Sequence, residues 1–494
     1  MTIADVLELR NVRMPLGDEG SLYVLRAEAG KWVSVMKQAA YIGSDDGFVS
    51  MEEWSGRVLT RSVLSPIPAS SAERGSEGVS RQQPDAGSSE VQGSSLYSED
   101  ASTRQVLRLD VEGKLLLPGL VDSHMHLDKA FSLGRVPNES GTLIEACVNY
   151  GAAAGSFTKQ EIKARMMRAA LQALSYGTTY LRTHLDFNTN PSIRTAMNTI
   201  EAALEVRAEL APYLTMQLIP MIGYGLSTEV LAAVEESLRM GVDGLGGAPH
   251  LSADPKQHME FIFKLAAKHG CLVDLHSDEN DRSDSRTVQY AAKLTLEYGM
   301  QGRVTADHLC SLASMSDAAA EAVIADMREA GLKAVSLPAV NLYLQGREDN
   351  YPVRRGVTRL KQLWEAGIVT AIASDNIHDP FHPFGRGDLL QIALISSYAA
   401  HMGGPADLRT LLRMVSTAPA EVMGLQGYGV APGADARFVV VDAGSVEELF
   451  AMQPERRWVY SGQQWLRIPA PRAEWQDSGL ASLWAEASER ASFR

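Results

Sequence analysis

The chain of 494 residues carries 46 Lys and Arg against 60 Asp and Glu, a formal net charge of -14, with 45% hydrophobic and 21% charged residues. That length leaves room for a large barrel of about 250 to 350 residues beside a smaller companion domain, and the composition excludes a disordered or fibrous chain. The acidic balance argues against nucleic acid as a partner, because phosphate binding needs clustered basic residues, and it points instead to a small substrate that is not strongly anionic.

The opening MTIADVLELRNVRM has acidic residues where a secretory leader would have a basic stretch and an apolar core, so a cytoplasmic location is the expectation. The longest apolar runs, around 115–121 and 213–222, fall short of the ~20 residues of a membrane span. Cys147, Cys271 and Cys310 are odd in number and widely spaced, which predicts reduced thiols. Strand-like pieces follow at 6–12, 22–27, 32–36 and 106–109. They are interrupted by a segment at about 65–104, rich in Ser, Gly, Gln and Pro, which lacks the apolar side chains to offset its ordering entropy and reads as a flexible insertion.

From Leu115 onward, apolar runs alternate with amphipathic stretches, the pattern of βαβ units and a parallel sheet. The runs are 115–123, 179–187, 214–222, 244–251, 272–277, 303–308, 333–341 and 369–375; helices are expected at 159–175, 228–240, 256–269, 357–365 and 408–425. The tail adds strand character in GYGVAPGADARFVVVD and at 457–468. The predicted fold is α/β: a (β/α)8 TIM barrel over 113–425, with a small β-sandwich domain built from both termini, 1–112 and 426–494.

In such a barrel the chemistry sits where the strands end. The first strand runs into His124-Met125-His126, whose imidazoles, two residues apart, share one face of the pleat. His276 after strand five and Asp375 after strand eight complete an N3O set suited to one Zn2+ or Fe2+ with room for a water. Glu279, three residues past His276, has the reach of a proton shuttle. His308, after Asp307 on strand six, can hold the developing oxyanion or orient the water. His184 and Asp186 end strand two, where a structural role is favoured over a part in the site. His250, His378 and His382 are possible pocket walls, and His258, His269 and His401 fall on stretches expected at the surface.

At LLLPGLVDSHMHLDKAF the sequence resembles the amidohydrolase superfamily, and LRTHLDF, VDLHSDENDRSDSR, LQGREDNYPVRRG and ASDNIHDPFHPFGRGDLLQ narrow the resemblance to its cytosine deaminase-like branch, over about 113–425. The resemblance implies that His124, His126, His276 and Asp375 bind the ion, that Glu279 relays protons between water and the leaving amine, and that His308 acts with Asp375. Two positions depart from cytosine deaminases: Met221 stands where they have a Gln, and Asn376 where they have an Asp. With Phe381 these are the candidate substrate contacts, and cytosine gives way to a pyrimidine-, triazine- or pterin-like heterocycle. The end of strand four, GLGGAPHLS, offers no convincing Lys of the kind that bridges two ions in cyclic amidases, so one ion is expected. The expected activity is hydrolytic deamination, with a ring-opening cyclic amidase or a catalytically silent binding protein as alternatives, in a chain that forms a possible homo-oligomer.

Overall fold

The computed structural model describes residues 4–18, 20–41, 47–64, 98–99, 105–223, 227–471 and 476–490. The chain opens with β1 (Val6–Arg13), β2 (Leu22–Glu28), β3 (Lys31–Lys37), β4 (Val49–Ser50), β5 (Ser98–Glu99), β6 (Gln105–Asp110) and β7 (Leu115–Pro118). Most of the insertion expected at 65–104 lies outside the described residues. Its Ser98–Glu99 pair does not behave as a loop, because it adds an antiparallel edge to β6 through Ser98 opposite Val106.

The next eight strands form a second sheet: β8 (Leu120–Met125), β9 (Thr178–Phe187), β10 (Thr215–Ile222), β11 (Gly244–Gly247), β12 (Leu272–Ser277), β13 (Val304–His308), β14 (Lys333–Ser336) and β15 (Thr370–Ile372). Neighbours in sequence are neighbours in the sheet, and each pair is parallel. A parallel bridge between Met125 and Asp375 joins its two edges, and the Asp375 N–H donates to the His124 carbonyl at 2.9 Å. This is the (β/α)8 TIM barrel.

Three of the expected runs are divided. Residues 115–123 split at Gly119 between β7 and β8, because a Cβ at Gly119 would lie 2.0 Å from Thr179 Oγ1 and only a glycine lets the backbone pass. The second half of 333–341 is the helix Pro338–Leu344, which begins with proline at its first position. Residues 249–251, read as strand, form a short 3-10 turn that also starts with proline. Helices met the expected bounds best where capping was strong: Lys159–Ser175 opens with a Thr158/Glu161 capping box, and Thr228–Met240 ends on Gly241 at φ 100°.

The tail contributes β16 (Phe438–Val441), β17 (Arg457–Ser461) and β18 (Gln464–Arg467), which join the N-terminal strands in one ten-stranded branched sheet ordered β18-β17-β16-β7-β1-β2-β3, with β6 branching off β1 on the edge it shares with β7 and carrying β4 and β5. Its core is aromatic: Trp32, Trp54, Phe438 and Trp458 are fully buried. A separate apolar layer, including Leu117, Val439 and Leu411, seats this domain on the barrel helices. Among the described residues, no helix is long and apolar enough to cross a membrane.

Candidate metal centre and active site

Period-two alternation places polar side chains in layers inside the barrel. Arg182 and His184 come from β9, Asp274 and His276 from β12, and Thr305 and Asp307 from β13, with His276 opposite Asp307 in the register. At the lowest level Arg182 is saturated by Asp274 Oδ2 at 2.6 Å, Thr305 Oγ1 at 3.3 Å and Gln217 Oε1 at 2.8 Å. Above it, His124 Nδ1 lies 2.8 Å from Asp307 Oδ2, which leaves His124 Nε2 turned to the centre. His184 packs against the His124 ring, with centroids 4.0 Å apart and its Nε2 3.5 Å from Asp307.

At the top of the strands four donors converge. His124 Nε2 and His126 Nε2 are 3.3 Å apart, His126 Nε2 and His276 Nε2 3.1 Å, and Asp375 Oδ1 lies 3.5 Å from His124 Nε2 and 3.4 Å from His126 Nε2. Donors about 2.0 to 2.1 Å from a tetrahedral ion stand about 3.3 Å from one another, so these spacings suit ligands of a divalent ion; His124, His126 and Asp375 form one group able to hold one, and His124, His276 and His308 another. Asp375 supports the fit independently: it is 1% exposed, yet neither carboxylate oxygen has a hydrogen-bond partner, which a buried carboxylate rarely tolerates unless it serves a ligand. Burial works against a charged imidazole at His124, but Asp307 and then Asp375 outweigh it and push this group up to about 10, so the spot draws positive charge. Burial holds His126 and His276 well below the usual histidine range, which keeps their lone pairs free.

The backbone is bent to make this arrangement. Asp375 (φ 63°), His308 (φ 66°) and Asp278 (φ 51°) all occupy the left-handed region, a conformation that non-glycine residues adopt at a cost and that clusters at functional sites. Asp278 ties the loop down by accepting from Ser285 Oγ, Thr287 Oγ1 and the Val288 N–H, which holds the next residue, Glu279, over the centre. Glu279 is 5% exposed and lies 3.4 Å from His308 Nδ1; burial first, and Asp375 second, push its carboxyl well above the usual carboxylate range. Asn341 Nδ2 donates to His308 Nδ1 at 3.0 Å, so the ring carries its proton on Nε2, which has no partner.

A cavity of about 380 Å3 opens above these groups. His126, His276, Glu279, His308 and Asp375 line it, and so do the three expected substrate contacts Met221, Asn376 and Phe381. Lys129 was not anticipated, although it stands in the HMHLDK phrase. It is 5% exposed, its ammonium 5.1 Å from the Phe381 ring centre and 4.0 Å from Asp186. Asp307, Asp274 and Arg182 were likewise not assigned roles beforehand. Neither His378 nor His382 lines the cavity: His378 points to the Pro383 carbonyl and His382 to that of Asn376. His250 faces the His276 carbonyl at 3.0 Å. His258 is not on the surface as expected but buried, on the Ile222 carbonyl at 2.9 Å, while His401 is exposed.

A profile of the Amidohydrolase family matches residues 150–463. A pterin deaminase of Rhizobium rhizogenes strain K84 is 31% identical over 69% of this chain and 77% of its own, and an N-isopropylammelide isopropyl amidohydrolase of Pseudomonas sp. strain ADP is 29% identical over 70% and 85%. Among solved structures, 5-methylcytosine deaminase from Klebsiella pneumoniae liganded with 5-fluorocytosine superposes with a TM-score of 0.77 at 25% identity, covering 94% of this chain and 98% of that one. The chain belongs to the Amidohydrolase family and is a hydrolase of carbon–nitrogen bonds other than peptide bonds.

Proposed function

We propose that this enzyme removes an amine hydrolytically from a small nitrogen heterocycle, with one Zn2+ or Fe2+ held by His124, His126, His276 and Asp375. The observation that carries the reading is the convergence of His124, His126, His276 and Asp375, three imidazole nitrogens and one carboxylate, all buried and linked through contacts of 3.1 to 3.5 Å, beneath the cavity. Such an ion, when bound, lowers the pKa of a water and fixes its position. The end of β11, Gly247-Ala248, offers no side chain that would bridge a second ion.

The chain's own groups then divide the proton work. With the charge of a bound cation offsetting the burial that raises it, Glu279 would take a proton from the attacking water and, as the acid that its burial favours, return it to the leaving nitrogen, a relay that its place in the cavity beside His308 allows. The unpartnered His308 Nε2–H donates to the attacking oxygen and holds it on line. Lys129, Phe381 and Met221 shape the far wall, in a volume that accepts one ring or two fused rings. The names of the relatives support a pterin, pyrimidine or triazine. Three unpaired cysteines support a reducing, cytoplasmic setting.

The test is turnover of pterin, 5-methylcytosine and N-isopropylammelide by the purified enzyme, followed by amine release and product mass. One of them should lose ammonia or isopropylamine with its ring intact. A ring-opened product would make the enzyme a cyclic amidase; tight binding of all three without turnover would make it a binding protein.

A further inference from the structure

Asn376 lines the cavity but is only 4% exposed, and its amide is not free to turn. Its Nδ2 donates to Asp379 Oδ2 at 2.8 Å. Asp379 is fully buried, and its other oxygen is already committed: Oδ1 accepts the backbone N–H groups of Phe381 at 2.9 Å and His382 at 3.1 Å. Burial pushes the Asp379 carboxyl up to about 7, and the three donors, Asn376 Nδ2 and the His382 and Phe381 N–H groups, pull against it, so the form these contacts favour is the carboxylate that accepts from Asn376. Among the described residues no hydrogen bond engages Asn376 Oδ1, and that oxygen is left for the cavity.

We infer that Asp379 is a positioning residue that holds the Asn376 amide with its oxygen towards the substrate, so that the heterocycle edge facing Asn376 carries an N–H. The inference rests on the deaminase reading above and names part of its specificity. The site accepts a lactam-type or amino edge there and rejects a ring nitrogen presenting a lone pair, because two acceptors would then face each other with no proton between them. An uncharged acceptor also leaves the cavity with one carboxylate fewer than an Asp at this position would give it, beside Asp375 and Glu279.

Asp379→Asn separates this role from mere packing. The two backbone N–H groups keep the new amide's oxygen in place, which turns its NH2 towards Asn376. Asn376 must then flip, accept with Oδ1 and present its NH2 to the cavity. The double variant Asn376→Asp/Asp379→Asn restores the arrangement with the bond reversed: residue 379 donates, and residue 376 again shows an oxygen to the substrate.

The experiment measures kcat and KM on whichever of pterin, 5-methylcytosine and N-isopropylammelide the wild-type enzyme turns over, together with metal content. Asp379→Asn should keep its metal and raise KM about tenfold or more, the cost of one mispaired buried hydrogen bond, while the double variant returns to within a few-fold of wild type. A wild-type KM in Asp379→Asn overturns the inference, as does a folded, metal-loaded double variant no better than the single one. If Asp379→Asn does not fold, Asn376→Asp takes its place: two carboxylates then meet at the same contact, and adding Asp379→Asn must improve KM or the inference fails. Absence of turnover by the wild type on all three compounds is a different result, which defeats the functional reading itself and this inference with it.

Discussion

On the proposed function Glu279 stands outside the four-donor set, so that proton transfer and metal binding can be separated at a single residue. Glu279→Gln should keep its metal and lose roughly 10² to 10⁴ in turnover, the scale of a positioned acid or base; single-turnover rates beside elemental analysis check it, and a metal-free variant would make Glu279 a ligand instead. Asp307 works from behind. Its hold on His124 Nδ1 at 2.8 Å orients the ring, so Asp307→Asn should weaken metal affinity by about 10- to 100-fold without removing any donor, as competition with a chelator will show. The four donors and Glu279 were readable because each sits at a strand end and the two-residue spacing of His124 and His126 has a geometric meaning. Asp307, Asp274 and Arg182 were not, because their importance comes from register across β9, β12 and β13, which no local spacing encodes. His184 shows the limit of a lone histidine: nothing in RTHLDF says that its ring packs against His124.

The strands themselves show where pattern reading works. Eight apolar runs were legible because parallel strands buried on both faces read as continuous hydrophobic stretches, and their order around the barrel follows directly. What failed was the point at which a run changes partner or conformation, as at Gly119 and Pro338, where one residue's steric demand overrides the surrounding hydrophobicity. β11 is the extreme case, a strand of sequence GLGG. A Cβ on Gly246 would lie 2.5 Å from the Asp274 carbonyl and 3.0 Å from Ile219, so β10 and β12 approach β11 more closely than a side chain permits. Gly246→Ala should therefore cost about 1 to 3 kcal/mol through overpacking, read as a lowered urea midpoint. Gly403→Ala is the control, since its added carbon meets nothing within 4 Å; equal midpoints for the two variants would contradict the account of β11.

The molecule is held as one by the fit of the terminal sheet to the barrel. Asp388 caps the helix Leu389–Ala399, and its carboxylate takes both Arg457 nitrogens of β17, at 2.7 and 2.9 Å, in a pair only 0% and 1% exposed. Arg457→Met leaves a buried carboxylate with only the Leu390 N–H on Oδ1 and Arg386 on Oδ2, so the loss should sit at about 3 kcal/mol, the low end for breaking a buried pair. Replacing Asp388 as well with Leu should recover much of it, because paired removal leaves no lone charge; chemical denaturation of the single and double variants checks both. Strands at both chain ends were visible in the sequence, but this clamp was not, since its partners lie 69 residues apart. On the proposed function the barrel and its layered polar core hold four donors around one ion. Metal content by elemental analysis, on wild type and on His276→Ala and Asp375→Ala, tests that most directly: the wild type should carry close to one ion per chain and each variant should lose most of it, whereas two ions per wild-type chain, or full metal in both variants, would contradict the account.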